Sequence, residues 1–336
     1  MPIPFILGAL AAGAGAYGIK KGLDAKKDMN KAKSINEDAQ KIANDTENKI
    51  DMARESTNEE IMSLGEAKIE ILSGSLNDFV ESFSRLKNVE LSDSVGMEEL
   101  RGFNPHSSDF IDIKDASFKA KELASGTAGG LAAGTLAAVG AYSAAGTIGV
   151  ASTGAAIAGL SGAAATNATL AWLGGGALSA GGFGMAGGMA VLGGIVAGPA
   201  LAIGGMFMAS KAEKALNDAR ANMDQAKMFQ EQGENICSAL NAIQDRATQI
   251  KDLLDELDYR MARVVSDIDN IIYDFGTDFR KFNRSAKETV GIAVQIAKTI
   301  KIVIDTPLLN EDGELNDYDT YNLVEDTQYL LDSGKI

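Results

Sequence analysis

The sequence has a single cysteine, Cys237, and a single histidine, His106. No intrachain disulfide can form, no Cys/His zinc cluster can be assembled, and no credible Cys-His or Ser-His nucleophilic pair is at hand. Proline is scarce, at five residues, and aromatic side chains make up 6% of the chain. That leaves little with which to build an all-β domain, which needs regular turns and β-branched or aromatic alternation. Basic residues are outnumbered as well, 31 Lys and Arg against 46 Asp and Glu, for a formal charge of −15. This balance argues against a nucleic-acid partner, whose phosphates demand clustered cations, and against electrostatic docking on anionic lipid. It suits a solvated, mutually repelling helical surface. The 336 residues are enough for two ordinary domains with a sizeable core.

The most informative absence is local. Residues 123–210, 88 in a row, include no Asp, Glu, Lys or Arg, although the chain as a whole is 23% charged. This stretch holds 23 of the 37 glycines and 26 alanines. A soluble helix normally keeps a polar face, so a segment with none is expected to be enclosed by protein or by lipid. Its length would allow two to four spans of roughly 20 residues each. The first half is mostly Ala, Gly, Thr and Ser, which add little to insertion. The second half is richer, and the span is expected at Met185, Gly188, Val191, Leu192, Gly194, Ile195, Val196, Gly198, Leu201, Ile203 and Phe207, kinked at Pro199. Gly184/Gly188 and Gly194/Gly198 stand four apart, a spacing that lets helix backbones approach closely. Gly174, Gly175 and Gly176 make the expected turn of a hairpin, with the only tryptophan, Trp172, just before it as an interfacial anchor or a core aromatic.

The charge pattern divides the rest of the chain. Residues 1–19 form an apolar start with no charge before Lys20, the reverse of a secretory signal; it reads as a marginal anchor or as the buried beginning of a helix. Residues 20–122 form a first helical arm followed by a loop. No proline falls between Pro4 and Pro105, so one helix can run far, to about Leu91. Ile35, Ala39 and Ile42, then Leu72, Leu76, Phe79, Phe83 and Leu86, repeat at helical spacing, while Thr46 and Lys68 interrupt the seam and predict looser packing there. Residues 211–283 form a second arm. Ile236, Leu240, Ile243, Ala247, Ile250, Leu254, Leu257, Met261, Val264, Ile268, Ile271 and Phe275 alternate four and three apart without a slip. That is a heptad seam, the pattern of a coiled coil with a solvated flank. Residues 284–336 give an apolar helix near Ala286 to Ile304, stopped at Thr306-Pro307, and an acidic end with Tyr318 and Tyr321, as a small helix or a loose tail.

Few residues point to chemistry. His106 lies in the loop sequence Asn104-Pro105-His106-Ser107-Ser108 and reads as exposed; Cys237, beside seam residue Ile236, reads as a bundle-flank thiol. Asn310-Glu311-Asp312-Gly313-Glu314 lacks EF-hand spacing and reads as an acidic turn. The glycines from Gly174 to Gly184 lack the Lys-Ser/Thr of a phosphate loop. No catalytic residue, metal or cofactor is expected, and the chain does not read as an enzyme.

Two amphipathic arms around an apolar hairpin resemble the α-helical pore-forming toxins of the cytolysin A and haemolysin BL type. The resemblance is one of architecture over most of the chain and rests on no diagnostic motif. The apolar segment here is longer and richer in glycine, and the apolar N-terminus is additional. More loosely, the segment resembles the Gly/Ala-rich membrane region of apolipoprotein L proteins. The toxin resemblance implies a hairpin folded against a helical bundle in solution, then extended into a membrane with oligomerisation.

The fold expected is therefore all-α, with long coiled-coil helices flanking a Gly/Ala-rich apolar hairpin. The function expected is conditional membrane insertion, with a lipid membrane and further copies of the chain or a helical protein as partners. The location expected is the cytoplasmic face or inner membrane, with a soluble form before insertion. A permanent integral membrane scaffold or sensor, and a soluble homo-oligomeric bundle, are the alternative readings.

Overall fold

The computed structural model describes residues 19–91, 100, 102–125, 136, 139–141, 212–310, 313–334 and 336. The elements are α1 (Ile19–Ser73), α2 (Ser75–Ser84), α3 (Ser108–Ser125), α4 (Ala212–Phe275), a 3-10 turn (Phe279–Lys281), α5 (Arg284–Asp305) and α6 (Asp317–Asp332). The protein is all-α with long helices; the described residues include two isolated β-bridges and no strand. The first arm does run far without proline, but it breaks at Gly74, whose φ of −100° and ψ of −108° leave the helical region, and α2 ends at Ser84 rather than near Leu91. The expected tail is a helix, α6. The expected hairpin, Trp172, and the span residues from Met185 to Phe207 lie outside the described residues, as do residues 1–18.

The chain divides into two compact units. The first comprises residues 1–56 and 193–241, of which 19–56 belong to α1 and 212–241 to α4. Here the two helices run parallel, because contact partners rise together in number. Asn222 donates to Asn36 at 2.9 Å, and Gly233 faces Thr46 and Ile50. The buried contacts are made largely by small residues: Ala32, Ala39, Ala219 and Ala226. One apolar cluster gathers Ile50, Phe229, Ile236 and Leu240, with Ala43, Ala53 and Cys237 against it. Short-looped neighbours in helical bundles are antiparallel. A parallel pair requires a long connection, and the charge-free segment lies within it.

The second unit comprises residues 57–192 and 242–336. Its helices again have parallel neighbours. Ser75 and Ser82 of α2 donate to Asp258 and Asp269 of α4, Ser117 and Lys121 of α3 reach Asn77 and Glu81 of α2, and Arg246 and Arg260 of α4 reach Asp317 and Leu331 of α6. Phe79, Phe83, Phe103 and Phe110 interlock, with ring centroids 5.1 Å apart for Phe83 and Phe110 and 5.6 Å for Phe83 and Phe103. α5 opens on an Asn283 side chain that accepts from the Ala286 N–H at 2.8 Å, and it ends before Pro307. It buries Val290, Ala293, Val294, Ile296, Ala297, Ile300, Val303 and Ile304, more of its circumference than a surface helix would.

The α4 seam residues from Ile236 to Ile268 are buried. At its C-terminal end the expected seam gives way. Ile271 is half-buried and Phe275 is 38% exposed, while Ile272 is buried in their stead, as are Leu253 and Val265 off the seam. A straight helix drifts about 20° per heptad against a strict seven-residue repeat, so a buried stripe moves off an a/d line.

Candidate functional site

The site begins with Lys68, in the middle of α1. It falls on the same helical face as Ile61, Leu64 and Leu72, all buried, and its side chain has 0% exposure. Thr46 and Lys68, which interrupt the apolar seam in sequence, both face inward. Thr46 satisfies its hydroxyl by donating to the Ile42 carbonyl one turn back at 2.7 Å. Lys68 instead reaches across to another part of the chain. Its Nζ donates to the carbonyl of Val139 at 3.2 Å and to that of Gly140 at 3.4 Å.

Those carbonyls are close because of two glycines. Residues 136 and 139–141 are helical and cross α1 where Gly65 meets Gly140. A Cβ on Gly65 would overlap the Leu136 carbonyl, and a Cβ on Gly140 would overlap that of Ile61. Only glycine on both sides permits this separation. A third tie comes from beyond α5, where the Leu309 N–H donates to the Ala141 carbonyl at 3.0 Å. Three consecutive carbonyls, 139 to 141, are thus engaged from outside their own segment.

The electrostatics are set by burial. Enclosure in apolar surroundings disfavours the ammonium and pushes the Lys68 pKa down to about 7, against a smaller opposing pull from the Asp305 carboxylate. Asp305 lies at the end of α5 and is paired through Oδ2 with Lys301, one turn back. Its Oδ1 is enclosed without a hydrogen-bond partner among the described residues. Lys68 is sealed from solvent and donates to two backbone carbonyls.

The other singled-out residues are scattered. His106 is exposed in a turn where its N–H donates to the Asn104 side chain at 2.9 Å. Cys237 is half-buried beside the Ile50 cluster. Asn310 closes a turn by accepting from the Glu314 N–H at 2.9 Å, with Gly313 at φ +79°. No group of three or more His, Cys, Asp or Glu suited to a metal ion occurs among the described residues. No helix of the described residues is long and apolar enough to cross a membrane. Sequence reading missed Lys68 as a buried group; the signal was its place on the face of Ile61, Leu64 and Leu72. Comparison with protein-family models, curated proteins and solved structures finds no match to this chain.

Proposed function

We propose that this protein is a conditional membrane-inserting helical protein that oligomerises into a pore or membrane-perturbing assembly, in the manner of the α-helical toxins it resembles. The observation that carries the proposal is the 88-residue stretch without a formal charge between two strongly charged helical arms. Such a stretch has too few large aliphatic residues for firm permanent insertion and too few polar ones for exposure. A switch between an enclosed and an inserted form resolves that conflict. The crossing at Gly65 and Gly140 supports the enclosed form, because it keeps the beginning of this stretch against the helices of the second unit.

The test is dye release from liposomes with protein purified without detergent. Release that saturates with protein, and that disappears in a variant carrying Leu192→Asp and Ile195→Asp, is the expected result. Sealed liposomes under all conditions would favour a soluble bundle, and a need for detergent at every purification step would favour a permanent membrane protein.

A further inference from the structure

We propose that the exposed face of α3 is a contact between two copies of this chain, set side by side and parallel about a twofold axis. The contact concerns the protein free of lipid; it goes beyond the membrane reading above and does not depend on it.

α3 is apolar on two opposite faces. On one, Phe110, Ile113, Ala116 and Ala120 are buried, and the Phe110 ring packs on Phe79 and Phe83 of α2. On the other, Ile111 is 45% exposed and Phe118 is 61% exposed. Standing seven residues apart, these two fall within about 20° of each other around the helix. A surface helix normally turns a polar face outward. One exposed apolar side chain is ordinary, whereas two on one line form a seam.

The charges beside the seam select its occupant. Lys114 and Lys121 lie on one flank, Asp115 and Glu122 on the other, and all four are exposed. Lys121 reaches Glu81 at 3.3 Å in an exposed pair; Lys114, Asp115 and Glu122 have no ion-pair partner among the described residues. A second copy turned about an axis parallel to α3 sets the basic flank of each copy against the acidic flank of the other, on both sides of the seam. Ile111 and Phe118 then meet their own counterparts between the flanks. An antiparallel copy would instead set lysines against lysines and carboxylates against carboxylates. Flanking charges set partner and orientation in this way in coiled coils. The contact is isologous, so it closes at two copies. It draws on a handful of side chains per copy, against about 20–30 residues a side in a standard interface. The dimer is therefore weak, with a dissociation constant on the order of 100 µM.

The test is sedimentation velocity of the full chain without lipid, in about 0.15 M salt, from about 5 to about 500 µM protein. Wild type should pass reversibly from monomer to dimer over this range. Phe118→Ala removes two rings from the contact and should weaken association on the order of thirty-fold, leaving the protein monomeric throughout. Lys114→Glu alone, or Asp115→Lys alone, sets like charges opposite each other on both flanks and should weaken association on the order of ten-fold. An equimolar mixture of those two variants restores opposite charges on both flanks and should dimerise as wild type does. All of these positions are exposed, so the fold survives each change, which circular dichroism would verify. If the single charge reversals leave association unchanged while Phe118→Ala abolishes it, the copies pair in another orientation and the parallel contact is overturned. A wild type that stays monomeric at every concentration overturns the proposal outright; a loss of vesicle binding in Phe118→Ala would then assign the face to lipid. Dye release tests the membrane reading separately, so either one can fail while the other holds.

Discussion

The two compact units bury their helices with different materials. In the first, α1 and α4 meet through Ala32, Ala39, Ala219, Ala226 and Gly233, and one modest cluster around Ile50 and Phe229 supplies the larger side chains. In the second, four phenylalanines interlock between α2, α3 and the loop before α3, and the Phe279 and Phe282 rings pack at a tilt of 54° with centroids 5.5 Å apart. Buried area scales with side-chain size, at roughly 25 cal/mol per Å² of apolar surface. The small-residue pair therefore gains less per residue of ordered helix than the aromatic core does. The second unit should be the last part to open.

The strongest way to break the contrast is Phe83→Ala. Phe83 has 0% exposure and packs against three other rings, and truncation should cost about 3–5 kcal/mol. Denaturant unfolding monitored by amide exchange in α5 would show it, with residues 30–50 unaffected if the units open separately. A smaller effect is expected from Gly233→Leu in the first unit, where a Cβ already overlaps the Thr46 methyl group. Overpacking of this kind costs about 1–3 kcal/mol, and the loss of protection should stay within residues 32–50 and 219–241. Equal loss in α5 would mean that the units are one cooperative block. The smallest is Arg246→Ala. Its guanidinium donates to Asp317 at 3.1 Å and to Thr320 at 3.0 Å and lies over the Tyr321 ring. Because Asp317 is largely exposed, about 1 kcal/mol should be lost, seen as faster exchange in α6 alone.

Much of this was legible from residue order. The 3-4 spacing from Ile236 to Ile268 marks the buried stripe of α4, and the run from Ala286 to Ile304 marks α5 with its stop at Pro307. Spacing could not reveal the break at Gly74, because an isolated glycine inside a helical pattern is usually tolerated. Nor could it reveal that Lys68 is enclosed. A lysine on an apolar face ordinarily marks a lapse in packing, since its charge resists burial. Here the carbonyls that receive it come from residues 71 and 72 positions away, and no local pattern shows that they arrive.

What residue order determined by itself was the helical class, the division of charge, and the 88-residue interval in which no side chain can hold water by charge. These follow from period and composition, which act locally. Tertiary structure alone decided that α1 and α4 run parallel, that Gly65 and Gly140 touch, and that Lys68 is enclosed. Each of those depends on which distant backbone reaches a given face, and that is settled by packing among elements far apart in the chain.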